Sequence, residues 1–216
     1  GNSGSQKERG STVPNWVSNT MTVTGDEADV KAFADKAGQP ALMTVDGESI
    51  SRLSFANFVR PDASIMDEYW GEEPRKASLE EALKHESNHW YDWNVRNWGC
   101  KWDASVQDVD DTSLDTGYVA FHFETPWGAP LRFFEAVVKQ FPDLDFNLRF
   151  VEEQGWGGEC GGSGGRWFEI DEWDIPETHE ATMEHIGYCK CEEMRPEEMQ
   201  WAYDDCPKKK EKVSNG

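Results

Sequence analysis

Residues 117–124, GYVAFHFE, alternate over their whole length: Val119, Phe121 and Phe123 point one way, Tyr118, Ala120 and His122 the other. Apolar, aromatic or small residues on both faces at period two predict a strand in the middle of a sheet. Upstream, residues 102–109 read as a second strand. The acidic turn 108–115 (DVDDTSLD) between them makes the pair a hairpin. Downstream, residues 125–130 (TPWGAP) form a rigid connection whose prolines fix the path, with Trp127 expected to lean on the sheet edge. Residues 131–141 recur at helical spacing, with Leu131, Phe134, Val137, Val138 and Phe141 on one stripe and Pro142 closing the helix. Residues 143–152 (DLDFNLRFVE) return to period two and place Leu144, Phe146, Leu148 and Phe150 inward.

Toward the start of the chain, residues 19–24 (NTMTVT) have strand propensity, and Gly25 ends the run. Asp26 is a candidate N-cap for a helix carrying Val30, Phe33 and Ala37, which Gly38 stops. The order strand, helix, paired strands, helix, strand is that of a split βαβ sheet with helices on one face, an α+β fold. The glycine-rich run 155–165 (GWGGECGGSGG) lacks a phosphate-loop pattern and leads toward a strand, so it reads as a mobile hairpin tip. Residues 166–171 supply that further strand. Residues 42–45 and 54–59 are short strands or tucked-in anchors, and Ser78 caps a short helix with Leu79, Ala82 and Leu83.

Residues 90–103 (WYDWNVRNWGCKWD) hold four tryptophans and a tyrosine, at a spacing that fits neither a helix stripe nor a clean strand. They read as a structured loop entering a strand. Either this is a small aromatic core or a recognition surface. For the second reading the candidate contacts are Trp90, Trp93, Trp98, Trp102 and Asp92, with Asp108, Asp110, Asp111, Trp127 and Trp156.

Acidic residues outnumber basic ones 42 to 21, giving a net charge of −21 over 216 residues. Such a field opposes binding to nucleic acid or anionic membranes and favours solubility, cations or a basic protein partner. An aromatic sheet surface for single strands would need a basic groove, and the arginines and lysines are scattered. No apolar run of about 18 residues suggests a membrane span. Carboxylates are too abundant to mark a catalytic pair, and His85, His89 and His122 show no singular spacing, so no catalytic residue is assigned.

Five cysteines, an odd and irregular set, indicate no disulfide framework and suggest a cytoplasmic setting. Cys189 and Cys191 lie one residue apart, with His179, His185 and Cys206 nearby. The set His185, Cys189, Cys191 and Cys206 is the candidate for a structural zinc that would let a short polar tail fold. A disulfide from Cys206 to Cys189 or Cys191, or free thiols throughout, are the alternatives.

Val13-Pro14-Asn15-Trp16 with Asn19 resembles the opening of the YubB-type ferredoxin-like proteins of phages and plasmids. The resemblance continues through Trp90–Trp93, Asn97–Gly99, Lys101–Asp103, Phe123–Trp127, Pro130, Phe141-Pro142 and residues 150–152. It implies a ferredoxin-like βαββαβ sandwich with an added strand, and neither iron nor electron transfer. On this reading residues 1–12 are a flexible arm, 13–176 the domain with an insertion at about 39–89, and 177–216 a helical extension with a lysine-rich end. Charge and family together suggest a non-enzymatic binding protein that inhibits a basic or nucleic-acid-binding host protein, such as a defence enzyme, by resembling DNA. A small-molecule or metal-dependent enzyme and an accessory structural role are the alternatives.

Overall fold

A computed structural model describes residues 15–39, 52–61, 90–195 and 197–214. The expectations for 42–45 and for the helix after Ser78 fall outside these residues. Among the described residues the strands are β1 (Trp16–Thr24), β2 (Ser105–Asp110), β3 (Tyr118–Pro126), β4 (Asp145–Glu152), β5 (Gly157–Ser163) and β6 (Arg166–Trp173). The helices are α1 (Glu27–Ala37), α2 (Trp90–Asn97), α3 (Leu131–Gln140), α4 (His179–His185) and α5 (Pro207–Ser214). No described helix is long and apolar enough to cross a membrane.

The strands form one sheet in the order β2-β3-β1-β4-β5-β6, with every neighbouring pair antiparallel. The first four, with α1 and α3 in their connections, are the ferredoxin-like βαββαβ core. The centre of the register sets Met21 opposite both Phe121 and Leu148. Period two puts all three on the helix-bearing face, where they are buried. Val30 and Phe33 of α1 and Phe134, Val137 and Val138 of α3 cover them. Phe33 is the hub: it stacks on Phe58 at 4.9 Å and meets Phe141 and Phe146 edge-on at 5.1 and 5.5 Å. Leu131, expected on the inward stripe of α3, is exposed, and Phe133 is buried instead, stacked 4.1 Å from Phe55.

Phe55 belongs to a single 3-10 turn, Phe55–Asn57, that tucks Leu53, Phe55 and Phe58 beneath the helices. Asp103 anchors it, its carboxylate accepting from Ser54 Oγ at 2.5 Å and from the Phe55 amide at 2.6 Å.

Residues 90–97, expected as a loop, are helical. The inward positions of α2 are shared by Trp90 and the buried Asn94, whose amide donates to the Lys101 carbonyl at 2.8 Å. A polar residue on the buried face hid the period. The glycine-rich run is a strand for most of its length, and only Gly164 and Gly165 form the turn, both at positive φ. The sheet therefore gains two strands beyond the four-stranded core, where one was expected. Glycine is needed there by close approach. A Cβ on Gly158 would stand 2.7 Å from the Phe150 ring, and one on Gly162 would stand 2.3 Å from a methyl of Val138.

The C-terminal extension packs on the sheet face opposite α1 and α3. His185 stacks on Trp173 at 4.7 Å, and the Arg149 guanidinium lies 5.0 Å from the same indole and donates to the His185 carbonyl.

Candidate functional site

The extension brings four potential ligands together. Thr178 caps α4 through its hydroxyl, accepting from the Ala181 amide at 3.1 Å. The Asp205 carboxylate accepts from the His179 and Glu180 amides at 2.8 and 3.0 Å. The first turn of α4 is thereby tied to the residue beside Cys206. Cys189 has extended backbone and opens the 3-10 turn Lys190–Glu192. Cys206 immediately precedes α5, with Pro207 in the first helical position and the Lys209 and Lys210 amides donating to the Cys206 carbonyl.

Cys191 is the centre of the cluster. Its Sγ lies 2.8 Å from Cys189 Sγ, 3.1 Å from Cys206 Sγ and 3.2 Å from His179 Nδ1. The ligand atoms of His179, Cys191 and Cys206 all fall within 4.8 Å of one another. The three cysteines are buried, and Met199 and Ala202 pack around them. Burial pushes the Cys191 thiol well above its ordinary range, reinforced by its contacts with Cys189 and Cys206. At Cys206 burial also opposes ionisation, but the Cys191 thiol and the Lys209 and Lys208 amides outweigh it and lower the thiol. A sulfur at a helix N-terminus is where a thiolate is favoured.

His185 was expected in this set and is elsewhere. It sits at the far end of α4 against Trp173, with Nδ1 3.9 Å from Asp171. His179 and His185 are six residues apart, so at 3.6 residues per turn they leave the helix in different directions. His179 is the one that reaches the sulfurs. The disulfide alternative is not formed, since all five cysteines are free.

Beside the cluster is a cavity of about 330 Å³ between the β4–β5 turn and the extension, lined among others by Glu152, Gly155, Pro176, Tyr188, Cys189 and Trp201. Glu152 is buried, with Oε2 accepting from the Gln154 amide at 2.6 Å. Its Oε1 has no hydrogen-bond partner among the described residues.

The candidate partner contacts are not gathered into one patch. Trp98 is fully buried, donating from Nε1 to the Val59 carbonyl at 2.9 Å and meeting Trp93 edge-on at 5.4 Å. Trp90 is buried, and Trp156 is half-buried against Phe150. Trp98 is therefore a core residue, its indole 5.8 Å from the Phe55 ring, and Trp90, buried at the start of α2 beside Tyr91, likewise presents almost no surface to a partner. Trp102 rests on Trp16 with the Lys101 ammonium 4.5 Å from its ring. Trp127, at positive φ, is half exposed rather than folded back on the sheet edge. Asp92 is half-buried and Asp108 exposed. Asp110 accepts from the Thr112 amide and hydroxyl, and Asp111 pairs with Arg52. The last three acids lie at the β2 edge.

A different surface stands out at the opposite edge. Every residue of β6 except Trp173 is exposed, including Trp167 at 41%, Phe168 at 52% and Ile170 at 51%. Glu169, Asp171 and Glu172 alternate with them. The pairing with β5 shifts register between Glu159 and Cys160, so Ile170 has no partner of its own and lies with Phe168 over Gly161. The sequence signal was there in WFEIDEW, an apolar-acidic mixture following a glycine pair.

Residues 101–192 match a family model described as the ferredoxin-like domain in Api92-like protein. That span runs from before β2 into the extension and includes His179, Cys189 and Cys191 but not Cys206. The crystal structure of protein api92 from Yersinia pseudotuberculosis aligns with 8% identity and a TM-score of 0.46, over 76% of this chain and 99% of that one. No curated protein matches the chain.

Proposed function

We propose a non-enzymatic binding role for this chain, whose residues 101–192 match the model of the ferredoxin-like domain in Api92-like protein. It is an acidic protein of a mobile element that occupies a basic surface on a host protein, such as a nucleic-acid-binding defence enzyme, where phosphates would otherwise lie. The observation that supports this reading is the β6 edge, where three large apolar side chains stand exposed among carboxylates in a chain of net charge −21. Aromatic anchors supply most of the affinity at such surfaces, and charge supplies steering and specificity. The edge strand also offers backbone groups to a partner's strand. A zinc ion in the extension belongs to the same reading as a structural element.

The test is capture of host proteins on the purified full chain across a salt series, beside a Glu169→Lys/Glu172→Lys variant and a Phe168→Ser variant. The expected result is a basic partner released by salt, displaced by DNA and lost from both variants. Capture indifferent to salt and to both variants would overturn the reading.

A further inference from the structure

We infer that His179, Cys189, Cys191 and Cys206 are the ligands of one tetrahedral zinc ion that holds the C-terminal extension folded beside the sheet. This deepens the structural-metal part of the reading above. Three sulfurs and one imidazole nitrogen form a soft donor set of the Cys₃His type, which suits zinc. The sulfur separations of 2.8 and 3.1 Å exceed the roughly 2.05 Å of a disulfide bond. They fall short of the roughly 3.8 Å edge of a tetrahedron built on zinc–sulfur bonds of about 2.3 Å. Modest outward shifts of the side chains therefore open a tetrahedron with the Cys191 sulfur at one corner and room for an ion at its centre. His179, Cys191 and Cys206 make one face of it, and Cys189, in contact with Cys191, supplies the fourth corner.

The surroundings argue for a metal rather than for thiols alone. Thiols are weak hydrogen-bonding groups. Among the described residues, the extension's own buried hydrophobic cluster contains, besides the cysteines, Met199 and Ala202, with Met183, Met194 and Tyr203 partly buried around it. That is little apolar area for a segment of this length, and a structural zinc supplies folding free energy directly. The Asp205 contacts with the His179 and Glu180 amides fix the helix that aims the imidazole. Cys189 and Cys191 also line the 330 Å³ cavity, so the ion sets the position of that wall.

The experiment measures zinc by mass spectrometry in the full chain purified without chelator, then repeats it with cobalt(II) in zinc's place. The expected result is about one zinc per chain and a cobalt spectrum with the intense visible bands of a tetrahedral site and a thiolate-to-metal band. His185→Ala retains the metal, His179→Ala loses it, and His179→Cys restores it as a Cys₄ set. Cys189→Ser weakens the thiolate band by about a third, as one of three sulfurs should. Substoichiometric zinc with no cobalt spectrum, a mass corresponding to a disulfide, or metal retained in His179→Ala and lost in His185→Ala would each overturn the inference. An unchanged thiolate band in Cys189→Ser would overturn the four-ligand set. The metal is read without any partner present, so this failure is separate from a failure of partner binding.

Discussion

Gly162→Ala adds one methyl group to β5, and its cost follows from the packing. The new Cβ would stand 2.3 Å from Val138 Cγ2 and 3.0 Å from Val138 Cγ1. Val138 is on α3, where a valine is nearly confined to one rotamer, so it cannot swing aside. Either α3 lifts or the sheet gives way, and overpacking of this kind costs about 1–3 kcal/mol. Urea denaturation followed by circular dichroism measures it, and each kcal/mol moves Tm by about 2–4 °C for a domain of this size. Val138→Ala alone should cost about 2 kcal/mol for the lost burial. The double variant should be less destabilised than the two singles added together, by about 1 kcal/mol or more, because the clash is gone. The opposite picture, a mobile glycine turn, predicts a different sign. There the alanine would be neutral or stabilising by about 0.4–1 kcal/mol through the unfolded chain. A stabilised Gly162→Ala, or strict additivity with Val138→Ala, would refute the packing of β5 beneath α3.

Two further outcomes test the aromatic end and its anchor. Trp98→Phe should lose about 2 kcal/mol, because it leaves a void and orphans the Val59 carbonyl that the indole now satisfies; an unchanged urea midpoint would show that neither matters. Burial pushes the Asp103 carboxyl above its ordinary range, against the opposing effect of hydrogen bonds from Ser54, Phe55 and Ala104. The folded state then holds that proton more tightly than the unfolded one. Its contribution is present below the ordinary carboxylate pKa and is lost as pH rises through the raised value. Denaturation midpoints across that window should show this slope in the parent and not in Asp103→Asn; an identical slope in both would assign it to other groups.

Much of the core could be read directly, because periodicity survives wherever side chains mark it. Residues 117–124 and 143–152 alternate, α1 repeats Val30, Phe33 and Ala37, and the structure buries those residues on the expected face. Where the marker was missing the reading failed. α2 buries Asn94 in an apolar position, and β5 has four glycines among seven residues, so neither shows a hydrophobic period. In the extension, three cysteines and two histidines announced a ligand set, but the choice of histidine depended on which face of α4 turns toward Cys191.

Net charge, the strand–helix order of the βαββαβ core and the donor chemistry of the tail follow from the residues alone, since each is a property of residue type or local spacing. It is the packing of distant segments that makes Trp98 core, brings His179 rather than His185 to the sulfurs, and leaves Trp167, Phe168 and Ile170 of β6 exposed. Those outcomes depend on which surfaces approach one another across long sequence separations: Trp98 to Val59, Cys206 to Cys191, β6 with no strand beyond it among the described residues. Burial and ligand geometry are relations between segments, and no segment carries them alone.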